Sequence, residues 1–330
     1  MKFIDLYCGA GGMSLGLIQA GWEHVRGFDN NEAAALTYRK NIGPGYLTDV
    51  ANMLVHKTDV DLIVGGPPCQ GFSTQNKNHE GDERKNHVVT FALIVAENRP
   101  RAFLMENVVS LLGKRGQNVL ASFRSILKGY FIESIKLSAL NFGLAQDRTR
   151  AFIYGFRDHA PASKPGPGWC RRLATIHNAI FSLPEPPPDE GRSHPDYFNH
   201  YRHEMSAENM ERIRHVSPGG GRHDLPMHLQ LDCHKKEITG GGGWPDVFGR
   251  LEWDGQAQTI TTNFHTCTKG RHVHPSADRC ITPREAARLQ GFPDDFEFLG
   301  NRTEVRTQIG NAVPPPMARH MGEFIKGELE

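Results

Sequence analysis

The chain has 330 residues, with 38 Lys and Arg against 37 Asp and Glu, 38% hydrophobic and 23% charged. That is ordinary globular composition and excludes a disordered or fibrous protein, while a net charge of +1 gives no electrostatic footprint of a nucleic-acid partner, although a neutral total can hide a basic cleft. Six cysteines without a Cys-x-x-Cys pair, and no apolar run near the ~18 residues that cross a bilayer, predict reduced thiols, a cytoplasmic protein and no membrane insertion.

Along the first half, short apolar runs alternate with amphipathic stretches, the pattern of a parallel sheet wrapped by helices. Strands are predicted at Phe3–Tyr7, Val25–Asp29, Leu62–Gly65, Ala102–Glu106, Phe131–Leu140 and Ala151–Phe156, and helices at Gly12–Ala20, Glu32–Asn41, Val88–Asn98 and Asn118–Lys128. The expected fold is α/β, doubly wound and Rossmann-like. From Arg157 the runs Pro165-Gly166-Pro167-Gly168, Pro184–Pro188, Gly219–Gly221 and Gly240–Gly243 break periodicity and mark a second, smaller, loop-rich domain. Helical spacing resumes at Pro283–Gln290, with Thr282 as N-cap and Pro283 at the first helical position, and a last helix is expected at Met317–Leu329. The expected division is a main domain at 1–156, a second at 157–280, and a return to the first at 281–330.

Three segments carry chemistry. Asp5-Leu6-Tyr7-Cys8-Gly9-Ala10-Gly11-Gly12 follows a strand and opens a helix, where small residues let a ligand approach backbone N–H groups. Ser14 stands where a dinucleotide fingerprint needs its last glycine, which disfavours a dinucleotide. Asp29, ending the second strand, is placed to accept from ribose hydroxyls, and Asp49 to meet an adenine amino group, so both fit an adenosyl ligand. Gly65-Gly66-Pro67-Pro68-Cys69-Gln70 leaves the carboxyl end of a strand, with two prolines fixing the backbone before a presented thiol. Glu106 ends the next strand on the same rim, and a carboxyl at the tail of an apolar run tends to hold its proton near neutrality. Arg148 and Arg150, two apart, share one face if their segment is extended.

In this order the segments resemble the DNA (cytosine-5) methyltransferase family. The resemblance runs through Gly9–Gly12, Pro67-Pro68-Cys69-Gln70, Glu106-Asn107-Val108, Gln146-x-Arg148-x-Arg150, Arg284-Glu285-Ala286-Ala287-Arg288-Leu289-Gln290-Gly291-Phe292-Pro293 and Gly310-Asn311-Ala312-Val313-Pro314. No single match is decisive, but six in sequence are highly specific. The resemblance implies S-adenosylmethionine as donor and a cytosine flipped out of double-stranded DNA. Cys69 would add to C6 and make C5 able to attack the methyl group. Glu106 would bond N3 and the exocyclic amine, Arg150 would meet O2, and Arg148 would support the site or a phosphate. Asp5, Tyr7, Gly9, Gly11, Gly12, Asp29, Asn30, Asp49, Pro67, Asn311 and Val313 are the expected donor-binding residues, with Tyr7 on the adenine and Asn311 near the methionine carboxylate. Ser73, Arg84, Gln146, Arg250 and Thr259 are the expected DNA contacts, and the 157–280 region becomes a target-recognition domain. The chain departs from the family pattern at Asp29, where glutamate is usual, at Asn30, where a bulky residue is common, and at His87 or Val88, where a leucine often closes the pocket.

The resemblance further implies a monomer and a restriction endonuclease acting on the same site. Two rival readings keep the fold: a tRNA cytosine-5 methyltransferase, and a catalytically idle DNA-binding relative. The histidines and cysteines at His228, Cys233, His234, His265, Cys267, His272, His274 and Cys280 match no standard zinc spacing, and no metal is expected.

Overall fold

A computed structural model of the chain describes residues 1–52, 58–68, 87–170, 172–189, 191–232 and 246–330. Among them, seven strands form one sheet in the order β3-β2-β1-β4-β5-β8-β6, with β1 at Lys2–Leu6, β2 at Glu23–Asp29, β3 at Gly45–Leu47, β4 at Leu62–Gly65, β5 at Ala102–Asn107, β6 at Phe131–Ser138 and β8 at Thr149–Phe156. β1 pairs in parallel with β2 on one side and β4 on the other. Strand order therefore reverses at β1/β4, and open α/β sheets bind ligands at the carboxyl end of such a switch point.

Side chains alternate across β1. Ile4 and Leu6 join a core with Ile63, Phe103 and Met105 of the sheet and with Val88, Phe91, Val95 and Phe123, on helices α3 (His87–Asn98) and α4 (Gln117–Ile126). On the opposite face Asp5 accepts from Ser14 of α1 (Gly12–Gln19), whose hydroxyl also meets Tyr38 of α2 (Glu32–Asn41), and the last helix spans Pro315–Leu329. α1 and the last helix approach closely because an added Cβ at Gly16 would lie 2.3 Å from Pro315 O. Trp22 Nε1 donates to Gly322 O at 3.0 Å in the same contact.

The predicted wholly parallel arrangement is corrected at one strand. β8 runs antiparallel to both β5 and β6, because the chain leaves β6 and re-enters β8 at the same end of the sheet. β3 and a helix at Arg302–Asn311 were not expected from the sequence. The chain divides into two compact units, residues 1–142, 149–170 and 312–330 in the first, and 143–148 and 171–311 in the second. The helix Pro283–Leu289, expected with the first domain, is fastened inside the second unit. There Thr282 and Glu285 form a reciprocal capping box, and Arg284 donates to the carbonyls of Phe198, Pro293 and Phe296. The second unit also holds a two-strand pair, β7 (Gln146–Asp147) with β9 (Ala257–Gln258), and a small core of Ile213, Val216, Leu225, Phe248, Cys267 and Val273. No helix among the described residues is long and apolar enough to cross a membrane.

Candidate active site

β1 runs into a turn that is left-handed at Tyr7 (φ 58°), Gly9 (φ 53°) and Gly11 (φ 100°). A side chain at Gly11 would strike Ile42 and Tyr38, whereas Gly9 faces open space, so glycine at 9 serves the backbone shape. The turn is fixed by Cys8 N–H donating to Phe28 O at 3.0 Å and Gly9 N–H donating to Asp29 Oδ2 at 2.9 Å. Asp29 Oδ1 accepts from Asn31 N–H at 2.9 Å, and burial pushes its carboxyl above the ordinary range. Each carboxylate oxygen has two lone pairs, so Asp29 keeps capacity for a hydroxyl donor.

Tyr7 sits edge-on to His87, ring centroids 5.4 Å apart, and its hydroxyl makes a long contact with His87 O at 3.5 Å. Asp49 is close enough for its charge to act on Tyr7, whose phenol burial pushes up. The structure thus brings Tyr7, Asp49 and His87 together. Asn30 is exposed beside the α2 N-cap and Val313 is buried, while Asn311 falls in the second unit.

Asp5 departs from the expectation of ligand contact. It is 1% exposed, accepts from Ser14 Oγ at 2.6 Å, and is pushed up to about 7 by burial against the lowering effect of that hydrogen bond. It lies beneath the glycine turn, in the sheet's interior.

β4 ends at Gly65, and Gly66-Pro67-Pro68 leads toward Cys69, which lies outside the described residues together with Ser73 and Arg84. Asn107 Nδ2 donates to Pro67 O at 3.1 Å, a fastening the sequence quoted only as part of a motif. An added Cβ at Gly66 would lie 3.6 Å from Glu106 Oε2, so the segment before Cys69 runs against the Glu106 carboxylate. Glu106 pairs with Arg150, Nε to Oε1, at 3.1 Å. Arg150 reaches this rim because β8 starts where β5 ends, with Asn107 opposite Ala151.

Arg148 belongs to the second unit and Arg150 to the first. Arg148 is buried in the second unit and donates to Ile260 O at 3.0 Å and Gly310 O at 3.1 Å. Gln146, expected on DNA, is fully buried; its Nε2 donates to Leu289 O and its Oε1 accepts from Ile260 N–H. Arg250, also expected on DNA, is spent on Val216 O, Ile213 O, His274 O, Ala277 O and the Asp278 carboxylate. Gln146 and Arg250 are thus internal fasteners of the second unit, not exposed DNA contacts, and Arg148 supports the same unit from within. Thr259 is half-buried, with its hydroxyl donating to Asp147 O at 2.8 Å.

The sequence profile of the C-5 cytosine-specific DNA methylase family matches residues 1–327. The chain is 30% identical to the Type II methyltransferase M.AgeI of Thalassovita gelatinovora, covering 99% of each, and 32% identical to the Type II methylase M.HgiDII of Herpetosiphon aurantiacus, covering 99% of this chain and 95% of that one. A candidate DNA modification methyltransferase encoded within a prophage (E. coli) has the same fold at 24% identity, with a TM-score of 0.77 over 100% of this chain and 99% of that one. With an acid and a cation paired on the rim of a Rossmann-like sheet, and a left-handed glycine turn following β1, the chain belongs to the C-5 cytosine-specific DNA methylase family and is an enzyme of that kind.

Proposed function

We propose that Cys69, Glu106 and Arg150 carry the methylation of a flipped cytosine in double-stranded DNA, with S-adenosylmethionine bound over the Gly9–Gly12 turn. The observation that carries this reading is the Glu106–Arg150 pair beside the Gly66 segment, because its acceptor and donor suit the two ends of one cytosine edge. Glu106 accepts from the exocyclic amine, Arg150 donates to O2, and the base in this position takes over the hydrogen bonds the two side chains now give each other. Cys69, delivered by the Pro67-Pro68 turn that Asn107 holds, attacks C6 as a thiolate.

The turn suits an adenosyl donor: Gly9 leaves open space, Asp29 retains lone pairs toward ribose hydroxyls, and Tyr7 and Asp49 stand together for the adenine. When bound, the donor supplies an electrophilic methyl group. The residues of this chain bind and orient it; Pro67 and Val313 of the same unit complete the proposed pocket, and Asn311 is proposed as a further donor-binding residue. Among the expected DNA contacts, Thr259, Ser73 and Arg84 remain in this reading, with Arg148 holding the second unit together. We further propose a cytoplasmic monomer working beside a restriction endonuclease of the same target, which the Type II relatives support.

Tritium transfer from labelled S-adenosylmethionine to duplex DNA tests the reading. The expected result is acid-stable label at cytosine C5; label confined to tRNA, or to an exocyclic nitrogen, overturns it.

A further inference from the structure

The buried Asp5 begins a chain of polar groups that crosses from β1 to β2. Ser14 Oγ lies 2.6 Å from Asp5 Oδ2 and 2.6 Å from the Tyr38 hydroxyl, which lies 2.7 Å from His24 Nε2. Tyr38 is fully buried, and its ring fills a slot made by three glycines. An added Cβ would lie 3.0 Å from the ring at Gly11, 2.5 Å at Gly27 and 3.0 Å at Gly45. The ring that carries the middle hydroxyl therefore also backs the glycine turn.

Each hydroxyl has one proton to give, so the chain has two self-consistent directions. With Asp5 ionised, Ser14 donates to Asp5, Tyr38 donates to Ser14, and His24 donates from Nε2 to Tyr38. With Asp5 protonated, it donates to Ser14, Ser14 to Tyr38, and Tyr38 to an unprotonated His24 Nε2. Passing one proton from the carboxyl through both hydroxyls to the imidazole converts the second state into the first, with no atom gained or lost. The surroundings hold the balance near neutrality. Burial and the Asp29 charge raise Asp5, burial lowers His24, and the Tyr38 phenol and Cys8 thiol are both pushed up and stay neutral. His24 otherwise meets the edge of Phe3 and the backbone of Arg26.

We propose that Asp5, Ser14, Tyr38 and His24 form a proton relay that couples ionisation of the carboxyl beneath the Gly9–Gly12 turn to binding of the sulfonium donor, with Tyr38 and His24 as positioning residues. The coupling rests on the assignment of that turn to S-adenosylmethionine. A cationic ligand above a buried carboxyl binds its ionised form better; the internal transfer conserves protons, so the pH dependence enters where His24 releases the relayed proton to solvent, and affinity rises as pH rises through neutrality. S-Adenosylhomocysteine lacks the sulfonium charge and feels this less.

The test pairs calorimetric Kd values between pH 6 and 8 with NMR of the His24 ring in protein carrying labelled histidine, the signal assigned by its loss in His24→Gln. The Kd for S-adenosylmethionine is expected to fall about tenfold across that range, a typical coupling, and that for S-adenosylhomocysteine much less. Tyr38→Phe keeps the ring in its slot and should flatten the dependence. Asp5→Asn should change the protonation or tautomer of His24 in the otherwise native chain but not in the Tyr38→Phe background. A native pH profile in Tyr38→Phe, or a His24 ring indifferent to Asp5→Asn, overturns the relay. No S-adenosylmethionine binding at any pH overturns the donor assignment and with it the coupling, while the His24 titration, read without donor, decides the relay separately.

Discussion

Glu106 is held by Arg150 at 3.1 Å before any base arrives, so its carboxyl group is aimed in advance. Proton transfer by a positioned side chain contributes roughly 10²- to 10⁴-fold. Glu106→Gln is therefore expected to slow single-turnover methyl transfer by about that factor while leaving the DNA Kd within a few-fold. A pure affinity defect would count against the role. Cys69→Ser should lower turnover by roughly 10³-fold or more with donor and DNA binding retained, measured by filter binding alongside tritium transfer. Asp5 makes a pH prediction at the same scale. Its carboxyl is raised from 3.8 to about 7 in the folded chain, so the folded state is most favoured below pH 4, where both states are protonated. Stability declines as pH rises from about 4 to about 7, where only the unfolded state ionises, by on the order of 4 kcal/mol. Asp5→Asn should remove that slope in denaturant titrations; an unchanged slope would show that Asp5 does not titrate there.

Elements differ in how much of them the sequence disclosed. α2 was legible to the residue, since Glu32–Asn41 carries a clear period and Asn31 caps it, accepting from Ala34 N–H at 2.9 Å. The capping box at Thr282 was legible for the same reason: its signal is local. β3 is three residues long and half exposed, too short for periodicity to register, and the helix Arg302–Asn311 hides in a polar run. The direction of β8 depends on which strands it pairs with, information no local window contains. Arg148 shows the same limit at the site, because its spacing from Arg150 says nothing of the carbonyls of Ile260 and Gly310 that it meets. Gln146 and Arg250 were read as surface contacts because polar residues usually are; only their buried partners reveal the fastening. The capping box also yields a prediction. Glu285 is held down to about 2, against an ordinary 4.5, because Arg279 outweighs the opposing cost of burial. Its contribution is present above about pH 4.5 and lost as pH falls through about 2. Glu285→Gln should cost about 3–5 kcal/mol at neutral pH, the range for breaking a buried pair, and flatten the acid limb of unfolding.

At the scale of the whole molecule, family membership and the rim geometry predict methylated cytosine in cellular DNA. Bisulfite sequencing of a host expressing the native chain, compared with the Cys69→Ser chain, should show protected cytosines in one recurring context only for the former. The chain passes between the two units four times, at 142/143, 148/149, 170/171 and 311/312. Exchanging the second unit for that of another enzyme consequently requires residues 143–148 to travel with 171–311. The packing of the final helix on α1, through Gly16 and Trp22, has a consequence for biosynthesis. Residues 12–19 must wait for residues 315–329, so the sheet cannot finish burying one flank until that later helix has emerged, and a nascent chain arrested before residue 312 should remain open to protease at its N-terminal third.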